Sequence, residues 1–190
     1  MGCSRSIDDA SKLGARFWIK RAVSALLALG LLWFGLPAES QELAEYRLKA
    51  AFLYNFAIFT EWPPDTGSSL RLCVYGVDPF GQEIDALQGK SVGERLLSVQ
   101  RTPQGGSLAG CQIVFIARSA IPGLAGVLEG LRGCDVLTVA DSPGALSLGV
   151  ALNMSVIQNK VAFEANLKAA RAARLNLSSK LLRLATAVIQ

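Results

Sequence analysis

Residues 45–63 read EYRLKAAFLYNFAIFTEWP, and this stretch decides how the rest of the chain is understood. Leu43, Tyr46, Ala50, Tyr54 and Ala57 recur at helical spacing and share one face. Leu48, Phe52, Phe56 and Phe59 fall nearly opposite. Glu45 and Lys49 stand at i and i+4 on another face, acid first, the favourable order. No charge occurs between Ala50 and Thr60. A helix apolar on two sides is buried on both or meets a partner. The Tyr46–Tyr54 face is expected to cover a sheet. The Phe52–Phe56–Phe59 face is expected to meet the C-terminal helix or a second subunit. Trp62-Pro63-Pro64 ends the run, because proline cannot continue a helix.

Upstream, residues 1–40 read as a targeting segment. Lys20-Arg21 forms a basic region, and Ala22 to Leu36 is an uncharged apolar run of 15 residues. That is short of the roughly 20 residues a membrane span needs, and it fits a secretory signal peptide cut after Ala38 or Ser40. An uncleaved N-terminal anchor is the rival reading. Residues 41–190 then form one domain with room for a real core, with no membrane insertion once the signal is removed.

The chain carries a formal net charge of +4, but from Gln41 onward there are 14 basic and 12 acidic residues. A balance of +2 without basic–aromatic clusters is no nucleic-acid footprint. The chain has no histidine. This removes Ser-His-Asp and Cys-His catalysis, histidine general bases and histidine metal ligands. The chemistry is therefore expected to be non-enzymatic, with no cofactor and no metal. Gly89-Lys90-Ser91 looks like the end of a phosphate loop, but Ile84 stands where the motif requires glycine.

Downstream, β-rich runs alternate with helical ones. Strands are predicted at Ser68–Gly76, around Leu96–Val99, at Cys111–Ala117 and at Asp135–Ala140. Helices are predicted from Asp78, from Ser119 and after Asp141-Ser142-Pro143-Gly144. Val150–Ile157 and Lys160–Ala165, joined by Gln158-Asn159, read as an antiparallel hairpin. Asn166–Ala173 is helical, and Ser178 or Ser179 caps a final helix, SSKLLRLATAV. The fold class is α/β, a single layered domain with a mainly parallel sheet, a C-terminal antiparallel hairpin and flanking helices.

Loops at the carboxyl ends of parallel strands are where open α/β sheets bind ligands. Asp78, Arg118 and Asp141 fall on such loops and would suit a small polar ligand. The competing reading is that Asp78, Ser119 and Ser142 simply cap helices. Three cysteines follow the targeting segment: Cys73, Cys111 and Cys134. Their spacing suits neither zinc nor a CxxC redox motif. Of three possible pairs, Cys73 with Cys111 is favoured, both lying in or beside strands of one sheet. Cys134 is then left over, as a small buried residue or as a thiol that exchanges with the bridge.

LKAAFLYNFAIFTEWP, CVYGVDPFG, GK…GERL, CQIVFIA, VLTVADSPG, NKVAFEANLKAAR and LNLSSKLLRLA follow one another in the order seen in the YfiR-like family of bacterial periplasmic proteins, which the chain resembles. The resemblance implies a periplasmic α/β domain, often a homodimer. It implies a partner as well, the periplasmic part of a membrane-anchored diguanylate cyclase, which such proteins repress, lowering cyclic-di-GMP and biofilm formation. Cys73 and Cys111 match the family's bridged pair, whereas Cys134 has no second cysteine near it. The partner-contacting segment is expected at Lys160 to Arg171, with Glu164, Asn166 and Arg171 polar beside Phe163 and Leu167. Those residues equally suit packing between hairpin and helix. The alternative function is a small-ligand-binding module, serving a sensor or transporter through the Asp78–Arg118–Asp141 crevice.

Overall fold

The structure is a computed structural model and describes residues 38–190; the expected signal segment falls largely outside that range. The first element, α1 (Ala38–Ile58), is followed by a two-residue strand, β1 (Thr60–Glu61). The Thr60 hydroxyl donates to the Phe56 carbonyl, and the Trp62 indole N–H donates to the Ala57 carbonyl, so the last turn is closed by side chains before the prolines arrive.

Next come β2 (Ser69–Tyr75), a single-turn α2 (Gln82–Asp85), β3 (Ser91–Val92) and β4 (Arg95–Thr102). Beyond them lie β5 (Ile113–Ile116), a 3-10 turn at Arg118–Gly123, α3 (Leu124–Gly130), β6 (Leu137–Ala140) and α4 (Ala145–Leu148). The chain continues with β7 (Leu152–Ile157), β8 (Lys160–Asn166), α5 (Leu167–Ala172), β9 (Asn176–Leu177), α6 (Ser179–Leu182) and β10 (Ala187–Ile189).

Eight strands form one sheet in the order β10-β8-β7-β6-β5-β2-β4-β3. The pairs from β4 through β2, β5 and β6 to β7 are all parallel, and β7–β8 and β3–β4 are antiparallel. Strand alternation sorts side chains into two cores. Leu70, Leu72, Val74, Ile113, Phe115, Leu137 and Val139 pack on the face that α1 covers. Cys73, Tyr75, Val114, Ile116 and Ala140 pack on the face that α3 and α4 cover. A sheet buried on both sides needs strands that are apolar at every position, and IVFI in β5 is fully buried throughout.

Several expectations need correction. The last predicted helix stops at Leu182, and Ala187–Ile189 instead extends the sheet, parallel to β8. Thr186 anchors that change, since its backbone N–H and its hydroxyl both donate to the Phe163 carbonyl. The hairpin is therefore not the sheet's edge. Its turn works without glycine because Gln158 and Asn159 both adopt positive φ, 50° and 60°, as a type I′ turn requires.

Nor do Ser119 and Ser142 cap helices through their side chains. Ser119 Oγ accepts from the Val77 N–H, and the Ser142 N–H donates to Asn153 Oδ1. Asp78 Oδ1 accepts from the Phe80 N–H in a local turn, ahead of a helix that begins only at Gln82. Asn166 and Ser178 do act as caps, accepting from Ala169 and Leu181.

Candidate functional site

The buried face of α1 consists of Tyr46, Lys49, Ala50, Leu53, Phe56 and Ala57. Lys49, read from its spacing as the i+4 partner of Glu45 on a separate face, is 0% exposed. On a helical wheel it lies between Tyr46 and Leu53 on one side and Phe56 on the other, so the packing angle of α1 places it squarely over the sheet. Ammonium burial is tolerated only when the charge is paired. Lys49 Nζ reaches Asp141 Oδ2 at 2.6 Å and Glu45 Oε1 at 2.5 Å, and lies 4.5 Å from the centre of the Tyr46 ring.

Asp141 follows β6 directly, and its side chain is wholly buried. The Tyr46 hydroxyl donates to Asp141 Oδ2 at 3.0 Å. Burial first, and then the adjacent Asp141 carboxylate, push the Tyr46 phenol well above its usual range. Arg118, 61% exposed, closes the cluster at the rim, 3.5 Å from Asp141 and 3.8 Å from Glu45. Two cations and two anions thus balance at the carboxyl ends of β5 and β6. Among the described residues, two buried side-chain oxygens keep no protein partner, Asp141 Oδ1 and Ser142 Oγ.

Of the three residues expected to line a ligand crevice, Arg118 and Asp141 therefore meet, with α1 laid over them. Asp78 does not join them. It pairs at 2.7 Å with Arg101, which also holds Asp85 at 2.6 Å and the Gly81 carbonyl. The topological switch point lies between β2 and β5, whose connections leave in opposite directions. It is closed. Gly76 has φ +106°, and a Cβ there would come 2.7 Å from Ser119 Oγ, so the two loops are packed together. The charged cluster is an ion-pair lock between helix and sheet.

Cys73 and Cys111 form a disulfide with Cα atoms 5.9 Å apart, tying β2 to the segment that leads into β5. Cys134 is unbridged and exposed rather than a small core residue. It stands at a groove of about 830 Å³ that also borders Cys111.

The expected partner segment splits. Phe163 is core, its ring 5.0 Å from Phe56 and 6.0 Å from Phe52. Leu167 is buried too. Alternation along β8 turns Phe163 toward α1, so neither apolar residue offers contact surface. Glu164 is half-buried, Asn166 is spent on capping α5, and Arg171 is exposed. The second face of α1 divides likewise. Phe56 is buried and Phe52 half-buried against Phe163, while Leu48 and Ile58 remain 49% and 40% exposed. Among the described residues no helix is long and apolar enough to cross a membrane.

A family model described as YfiR/HmsC-like matches residues 46–186. Among solved structures, the crystal structure of a conserved domain protein from Vibrio cholerae O1 biovar El Tor strain N16961 superposes with a TM-score of 0.52 at 8% identity. The match covers 75% of this chain and 60% of that one, and at such identity it speaks to fold alone. No curated protein matches.

Proposed function

This chain belongs to the YfiR/HmsC-like family, and from that premise we propose that it is a periplasmic regulator. It binds the periplasmic part of an inner-membrane diguanylate cyclase and represses it, lowering cyclic-di-GMP. The family match over residues 46–186 is the observation that carries this reading. The lack of histidine and the mutual pairing of the buried charges favour binding over catalysis. Repression then works by differential affinity: the regulator binds the inactive arrangement of the cyclase more tightly and shifts its population.

The surface this reading offers to the cyclase is the outward stripe of α1, where Leu48, Ala51, Asn55 and Ile58 are exposed and uncharged. Arg171 of α5 is the exposed survivor of the segment first expected to make contact. A second copy of the chain is the other candidate for the α1 stripe. A photo-crosslinker placed at position 48 separates the two in cells. Capture of a membrane protein bearing a cyclase domain supports the proposal. Capture of the chain itself alone, or of neither, counts against the cyclase.

A further inference from the structure

We infer that the outer edge of β10 pairs with the same edge of a second copy of this chain, joining the two eight-stranded sheets into one continuous sheet. This goes beyond the regulatory reading and does not depend on it. It uses the edge of the sheet and not the outward stripe of α1.

An edge strand presents a row of unpaired backbone groups, and proteins blunt such edges with charge, proline, bulges or a covering loop. The two edges of this sheet differ in that respect. On the β4 side, the short β3 and the loop before it close the edge. The Leu97 N–H donates to the Lys90 carbonyl, the Leu97 carbonyl accepts from the Gly89 N–H, and the Val99 N–H donates to Gln88 Oε1. Farther along β4, Arg101 is held by Asp78 and Asp85. The β10 side has no such protection. Ala187, Val188 and Ile189 are all exposed, and neither charge nor proline occurs from Leu184 to Gln190. Among the described residues nothing pairs with the outer side of the strand.

The register of β10 on β8 says which groups face outward. The Thr186 N–H donates to the Phe163 carbonyl, and successive backbone groups alternate in direction along a ladder. Thr186 and Val188 therefore face β8, and Ala187 and Ile189 turn their N–H and C=O groups outward. That set is complementary to itself. In an antiparallel pair about a two-fold axis at Val188, Ala187 of one copy stands opposite Ile189 of the other, and each such pair exchanges two hydrogen bonds. The two pairs take up every outward group of both β10 strands. Val188 then meets Val188, Thr186 meets Gln190, and no charge faces a charge. Moving the axis to Ala187 or Ile189 leaves outward groups of β10 without a partner in β10. The contact is isologous and the opposite edge is closed, so assembly stops at two copies. A strand of three residues makes a small interface of the reversible class.

The test is sedimentation equilibrium of the purified protein, in which a dimer in concentration-dependent exchange with monomer is expected. Ile189→Pro removes a donor that faces outward and keeps the ladder to β8, so it is expected to fold and to weaken dimerisation about tenfold or more. Val188→Cys in a Cys134→Ser background tests the register. Opposed residues that are not hydrogen-bonded lie about 4.5 Å apart at Cα, within reach of a disulfide, so mild oxidation is expected to give a covalent dimer. Ile58→Cys in the same background, on the α1 stripe, is expected to stay unlinked. A monomer at every concentration, a dimer as tight in Ile189→Pro as in the parent, failure of Val188→Cys to cross-link, or equal cross-linking through Ile58→Cys would each overturn the assignment.

Discussion

Removing the Asp141 carboxylate tests whether the buried charge cluster locks α1 onto the sheet. In Asp141→Asn, Lys49 keeps only Glu45, which is itself 25% exposed. Breaking a buried pair from one side leaves an uncompensated charge and costs about 3–5 kcal/mol. At roughly 2–4 °C per kcal/mol for a domain of this size, the melting temperature should fall by about 6–20 °C. Arg118→Ala removes a partner that is 61% exposed and 3.5 Å away, an interaction of the surface class worth about 0–1 kcal/mol. Lys49→Met combined with Asp141→Leu removes both buried charges and should recover most of the loss, because apolar replacement of a buried pair is often neutral or better. Urea denaturation of the single and double variants at pH 7 gives the coupling directly. If Asp141→Asn cost no more than Arg118→Ala, the cluster would be a solvated surface network and the lock would not exist.

Three further outcomes follow from other parts of the molecule. The bridge spans a sequence separation of 38, so Cys73→Ser should lose about 4 kcal/mol by chain entropy, while Cys134→Ser changes stability little; equal losses in a thermal melt would contradict the pairing. Ser142→Ala removes a buried hydroxyl with no protein partner and should be neutral or slightly stabilising. A loss above about 1 kcal/mol would instead place a bridging water between Ser142 and Asp141. The Arg47 guanidinium, bonded to Glu83 at 2.9 and 3.0 Å, holds the Glu83 carboxyl below its usual range, hydrogen bonding outweighing desolvation. Its small contribution to stability is present above about pH 4.3 and is lost as pH falls through the lowered native value. An NMR titration should show that midpoint return to the ordinary range in Arg47→Ala.

What the sequence made legible was whatever is encoded locally. Alternation and apolar runs located the central strands, with Cys73 on one of them and Cys111 just before its neighbour. Ser178 was readable as a cap because it precedes its helix with an oxygen at the right reach; Asn166, read as the start of its helix, is the cap of it. What escaped depended on tertiary placement. The Glu45–Lys49 spacing is that of an ordinary surface pair, and only the docking angle of α1, with Asp141 ninety-two residues away, turns Lys49 inward. A lysine in register with Tyr46, Leu53 and Phe56 was the signal available. The C-terminal run had good helix formers, yet its β-branched Thr186, Val188 and Ile189 were captured by the open edge of β8. Phe163 looked like contact surface because the sequence does not say which face of the hairpin α1 will cover.

The regulatory reading rests most directly on cyclic-di-GMP itself. The measurement is its cellular level in the parent bacterium, in a strain lacking this gene, and in that strain complemented by the full chain or by residues 41–190 alone, which lack the segment expected to direct export. The account predicts that the level rises on deletion, that the full chain restores it, and that the unexported form does not. An unchanged level on deletion, with the protein shown to reach the periplasm in the parent, would contradict it.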